Sequence, residues 1–196
     1  MTVSKTKAKL VDVARQLFAK MGVENTTMND IALASKKGRR TLYTYFKSKD
    51  DIYLAVVESE LDMLSDMMKR VAGKDISPDQ KILEMIYTLL DAVKEVVYRN
   101  GTLRANFFRD IWNVEKVRKK FDAKEKLLFK AVLLEGQTKG VFQIDDIEMT
   151  AELVHYCVKG IEVPYIRGQI GAHLDEETRK KYVVNIVFGA LHRTKF

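Results

Sequence analysis

The chain predicts an all-α protein, with an N-terminal three-helix helix-turn-helix domain followed by a larger helical domain. Three observations carry this. The 196 residues hold only two prolines, and no stretch sustains the apolar/polar alternation of a half-buried strand. Apolar residues instead recur at helical spacing from Leu10 onward. Two [ST]-x-x-[DE] capping boxes, Thr27…Asp30 and Ser48…Asp51, bracket a short segment with a turn inside it.

In the first helix Leu10, Val11, Ala14, Leu17, Phe18 and Met21 form one apolar stripe, and Gly22 is its stop. Thr27 caps the second helix, whose inner face is Met28, Ile31, Ala32 and Ala34. Gly38 marks the turn, and RRTLYTYF follows as the third helix. With Leu42 pointing to the core and 100° per residue, Phe46 returns to the same side and Tyr45 lies near its edge. Arg40, Thr44 and Lys47 then point away, flanked by Thr41 and Tyr43.

Ser48 opens a long helix over 49–72, with Ile52, Ala55, Val56, Ser59 and Met63 on one face. Residues 73–76 form a loop. Ser77-Pro78-Asp79-Gln80 combines an N-cap, a first-turn proline and a box glutamine, and starts a helix that runs to about Arg99, where Asn100-Gly101 ends it. Helices over about 102–112 and 115–138 follow. Gly136 and Gly140 read as turn signals before the VFQIDD loop. Asp146 begins a helix to about Gly168, and Asp175 caps the last, about 176–193. The division is 1–48 for the first domain and 49–196 for the second.

Charge assigns the first domain a partner. Residues 1–50 hold eight Lys and three Arg against four acidic residues, and the remainder holds 23 basic and 23 acidic side chains. The net charge of +7 therefore lies entirely on the N-terminal quarter, as in a polyanion-binding module joined to a neutral one. Two helices packed steeply through a short turn can place the second in the DNA major groove. The candidate contacts are Thr27, Lys37, Gly38, Arg39, Arg40, Thr41, Tyr43, Thr44, Lys47 and Lys49. Arg suits guanine edges, Thr and Tyr hydroxyls suit bases or phosphates, and a Thr methyl or Tyr ring suits a thymine methyl. Lys5, Lys7 and Lys9 add a basic arm.

Residues 17–32 (LFAKMGVENTTMNDIA) and 41–53 (TLYTYFKSKDDIY) resemble the TetR family of bacterial transcriptional regulators, densely over about 8–56. Beyond that, only length, helical content and the LLEGQTKGVF stretch are loosely similar. The resemblance implies a three-helix DNA-binding domain, a helical ligand-binding and dimerisation domain, and a two-fold dimer. It also implies that Lys49 touches the DNA backbone. The chain departs from the family at the turn, where Lys36-Lys37-Gly38 replaces a Gly-Val-Ser type, putting Lys where the family has its turn Gly and adding charge.

The last two helices are apolar on more than one face and need cover on more than one side. Val154, Val158 and Ile161 make one stripe, and Val183, Ile186, Val187 and Ala190 another. These read as the dimer interface of a four-helix bundle, or else as a buried monomeric core. Met85, Leu89, Phe107, Phe108, Trp112, Tyr156 and Tyr165 supply wall material for an effector pocket, although each also reads as plain core. Pro164 should kink or unwind its helix.

Nothing in the chain reads as an enzyme or calls for a cofactor. Cys157 and His155 are two apart on a helix and share no face; His173 and His192 lack metal-ligand spacing; no GxSxG or phosphate-cradling loop occurs. A single Cys fits the reducing cytoplasm, and no run reaches the roughly 18 apolar residues of a membrane span. The expectation is a cytoplasmic homodimer that represses by occupying an inverted-repeat operator in double-stranded DNA and is released by a small-molecule effector. The alternatives are an activator, a regulator controlled by a protein partner, or a non-specific basic interaction protein.

Overall fold

A computed structural model describes residues 5–99 and 111–191. Eight helices span them: α1 Lys5–Met21, α2 Met28–Ala34, α3 Arg39–Tyr45, α4 Lys49–Ala72, α5 Pro78–Arg99, α6 Ile111–Thr138, α7 Ile147–Ile166 and α8 Glu176–Leu191. No strand occurs among the described residues. The expected helix over 102–112 lies mostly outside them. The expected break before residue 115 is absent, because α6 is continuous from Ile111. No helix among the described residues is long and apolar enough to cross a membrane.

The chain forms two compact units, one from residues 1–63 with 95–120 and the other from 64–94 with 121–196. In the first, Leu10, Val11, Ala14 and Phe18 of α1 bury against Ile31 and Ala32 of α2, Leu42 of α3, Phe46, and Ile52, Tyr53, Val56 and Val57 of α4. The Phe18 and Tyr53 rings meet edge to face at 6.5 Å. Met21 and Ala34, expected inside, are exposed. Arg15 joins α1 to α4, its Nε 2.8 Å from Glu60 Oε1 and one NH2 donating to Ser59 Oγ at 2.8 Å.

The second unit buries Met68, Ile82, Met85, Ile86, Leu89, Phe129, Leu133, Val154 and Val158, among others. Lys81 is itself buried and donates to Glu135 at 2.8 Å, tying α5 to α6. Lys159–Asp122 at 2.6 Å, Lys126–Glu152 at 3.2 Å and Lys130–Glu148 lace α7 to α6. Gly136 is not a turn signal: it lies inside α6, where a Cβ would stand 2.1 Å from the buried Phe142 ring. Absence of a side chain there lets the following loop fold back onto the helix. Pro164 falls in the last turn of α7, which continues through it to Ile166.

Of the α7 stripe expected to face a second subunit, Ile161 is half-buried and the two valines turn inward. Val154 and Val158 are buried within the protomer, in company with His155 and Glu162. The large apolar side chains that α7 leaves in water are Met149, Leu153 (56% exposed) and Tyr156 (58%), with Cys157 beside them. On α8, Tyr182 and Ile186 are exposed, Ile186 by 74%. The side chains of Val183, Val187 and Ala190 lie outside the described set.

Candidate nucleic-acid interface

The helix-turn-helix is built from caps and a small shared core. Thr27 Oγ1 accepts from the Asp30 backbone N–H at 3.2 Å, and Asp30 Oδ2 accepts from the Thr27 backbone N–H at 2.8 Å and hydroxyl at 2.6 Å. These donors, the Thr27 hydroxyl first, hold the Asp30 carboxyl below its ordinary value. The preceding loop is pinned by the buried Thr26, whose hydroxyl donates to Gly22 O at 2.7 Å. Ser35 is also buried and donates to Ala32 O at 3.0 Å. A second box opens α4: Asp51 Oδ2 accepts from the Lys47 and Ser48 N–H groups, and Ser48 Oγ accepts from Asp51 N.

Seven residues make too short a helix to persist alone, so α3 is held by its buried face. Leu42 is fully buried, Phe46 just beyond the helix is nearly so, and Tyr45 is half-buried against the same core. That anchoring turns Arg39, Arg40, Tyr43, Thr44 and Lys47 outward and exposed, with Thr41 partly so. Gly38 is exposed at the N-cap, which has no side-chain bond, and Lys37 is half-buried. The result is one surface of cations, hydroxyls and an aromatic ring on a rigid helix. Thr44 is already engaged, its Oγ1 donating to Arg40 O at 2.9 Å.

Two further candidates are occupied within the protein. Lys49 Nζ donates to Val23 O at 2.8 Å and Glu24 O at 3.3 Å, clasping the α1–α2 loop to the start of α4. The Thr27 hydroxyl is bonded to Asp30, whose charge already sits at the α2 N-terminus. In the basic arm, the Lys7 ammonium stands 5.7 Å over the Phe46 ring.

Of the effector candidates, Met85, Leu89 and Tyr165 are buried in the second unit, whereas Tyr156 is turned into water. Phe107, Phe108 and the Trp112 side chain lie outside the described residues. Sequence reasoning passed over a buried polar pair in the same unit: Glu125 Oε1 is 3.1 Å from His155 Nδ1, both are 1% exposed, and Glu125 Oε2 has no hydrogen-bond partner among the described residues. No group of three or more His, Cys, Asp or Glu among the described residues could hold a metal ion.

Residues 10–56, from α1 into the second turn of α4, match the family model for bacterial regulatory proteins of the tetR family. The HTH-type transcriptional regulator QacR of Staphylococcus aureus is 24% identical over 158 residues, covering 79% of this chain and 83% of that protein. The chain belongs to the TetR family. A TetR/AcrR regulator from Thermobifida fusca shares the fold, with TM-score 0.69 and 21% identity over 95% of this chain and 98% of that one. FadR from Bacillus subtilis, solved in complex with stearoyl-CoA, does so with TM-score 0.68 and 14% identity over 94% and 99%. The protein is thus a DNA-binding transcriptional regulator, and its TetR-type helix-turn-helix coincides with the segment that carries all the net charge.

Proposed function

We propose that this TetR-family regulator is a cytoplasmic homodimeric repressor that reads an inverted-repeat operator through α3 and leaves it when a small molecule enters its second unit. One observation carries the reading: the buried Leu42 and Phe46 fix α3 so that Arg39, Arg40, Tyr43, Thr44 and Lys47 face out together on a domain of net charge +7. Arg40 and Arg39 supply guanine-seeking forks, Tyr43 and Thr44 supply apolar contacts, and Lys47, Lys37, Gly38 and Thr41 approach phosphate.

Homodimer formation is supported by the exposed Leu153, Tyr156, Tyr182 and Ile186, which a second copy of α7 and α8 would cover. Two recognition helices then meet two half-sites about one helical turn apart. Effector binding is supported by the interior of the second unit, where the unpartnered Glu125 Oε2 suits a ligand that carries a hydrogen-bond donor.

The test is selection of bound sites from random duplex DNA at near-physiological salt. An enriched inverted repeat is expected. Salt-sensitive binding without enrichment would overturn sequence reading and leave a charge-only binder.

A further inference from the structure

Three helices close in the same way. After α6, Gly140 N donates to Gln137 O at 3.1 Å and Val141 N to Gly136 O at 2.8 Å. After α7, Gly168 N donates to Tyr165 O at 3.1 Å and Gln169 N to Pro164 O at 2.9 Å. After α2, Lys36 N donates to Leu33 O and Lys37 N to Ala32 O, both at 3.0 Å. This paired pattern puts the residue past the helix end in the left-handed region, where Gly is at ease and a side chain is strained. The φ values agree: +70° at Gly140, +65° at Gly168 and +55° at Lys36. Among the described residues Lys36 is the one non-glycine with positive φ.

Among the described residues no side-chain contact of Lys36 offsets that strain. The Lys36 side chain is exposed, and its ammonium makes no hydrogen bond or ion pair among the described residues. Gly would close α2 with less strain, as it does α6 and α7. The position lies in the helix-turn-helix, three residues before α3, in a run of five (36–40) with four cations and no acid. A compact cation on a flexible stem that stands beside a groove-reading helix is suited to a phosphate rather than to a base edge. A strained residue retained at such a place points to function.

We propose that Lys36 is a phosphate-binding residue of the operator complex, held in the left-handed conformation for its charge. The proposal rests on α3 being the reading helix, and it assigns Lys36 a share of affinity but none of sequence preference.

Full-length protein, Lys36→Gln (strain kept, charge removed) and Lys36→Gly (both removed) are compared on the selected operator and on a scrambled duplex across a salt series. Both variants are expected to weaken binding to the two duplexes by the same factor. Both should also make the slope of log affinity against log salt shallower by about one. Lys36→Gly alone should melt at a higher temperature than the parent. Unchanged affinity and slope in both variants would overturn the phosphate role, and so would a loss confined to the operator, which would mean base contact. A Lys36→Gly protein that melts no higher would overturn the strain. If selection yields no operator, the regulator reading fails by itself; the salt slope on random duplex still decides Lys36.

Discussion

Lys49 separates two readings of one side chain. The family resemblance implies a phosphate contact for Lys49, in the first turn after Ser48, yet its ammonium donates to Val23 O at 2.8 Å and to Glu24 O at 3.3 Å. Lys49→Met keeps most of the stem and removes the charge. A hydrogen bond from a charged donor contributes about 1.5–3 kcal/mol when well buried. Lys49 is only half-buried and its second contact is long, so solvent screening reduces the loss to ~1 kcal/mol. In a unit of this size that lowers the melting temperature by about 4–8 °C. Thermal unfolding followed by circular dichroism, beside duplex binding over a salt series, reads both consequences. A lower melting temperature with an unchanged salt slope is expected. An unchanged melting temperature with a slope shallower by about one would refute the reasoning, because the ammonium would then leave the carbonyls for a phosphate.

Four further outcomes follow from the same geometry. The Thr44 proton is committed to Arg40 O, so Thr44 presents its methyl: Thr44→Val should keep the selected base preference and Thr44→Ser should lose it, and the reverse ordering in a second selection would show hydroxyl readout. Gly136→Ala forces a Cβ onto the Phe142 ring and should cost about 1–3 kcal/mol in chemical unfolding, with a smaller loss when Phe142→Ala is already present. The Asp30 carboxyl is held below its ordinary value of 3.8 by the Thr27 hydroxyl and N–H, so its contribution is complete above that value and is lost as pH falls through the lower folded one. Melting temperature should therefore drop on acidification below about pH 4, and Asp30→Asn should flatten that drop. Leu153→Arg with Ile186→Arg should convert a sedimenting dimer to a folded monomer; an unchanged sedimentation coefficient would place the interface elsewhere.

The helix-turn-helix was legible because its signals are local. Thr27…Asp30 and Ser48…Asp51 are boxes whose bonds the structure shows, and one wheel step from Leu42 separates the buried Phe46 from the exposed Arg40, Thr44 and Lys47. The occupied ammonium of Lys49 was not legible, since its carbonyl partners lie 25 and 26 residues away. Gly136 was misread for a related reason. A glycine near a helix end looks like a stop, and only the fold-back of Phe142 shows that it makes room for a ring.

Helix α7 shows where periodicity alone cannot decide. Its apolar residues occupy both faces, so the pattern fixes the period but not the direction of the core. Hydrophobicity would favour Leu153 and Tyr156 inside and His155 and Glu162 out; the structure has them the other way round. The inversion follows from pairing. His155 has Glu125 within hydrogen-bond distance on α6, Lys159 has Asp122 beside it, and Val154 and Val158 on the same face fill the core, so the polar groups enter with partners already provided. Turning the helix to bury Leu153 would strip those pairs and leave charges without partners, a loss larger than the gain from one leucine. The same packing leaves Leu153, Tyr156, Tyr182 and Ile186 in water. In the proposed homodimer a second copy would bring the same apolar pair of helices to cover that surface.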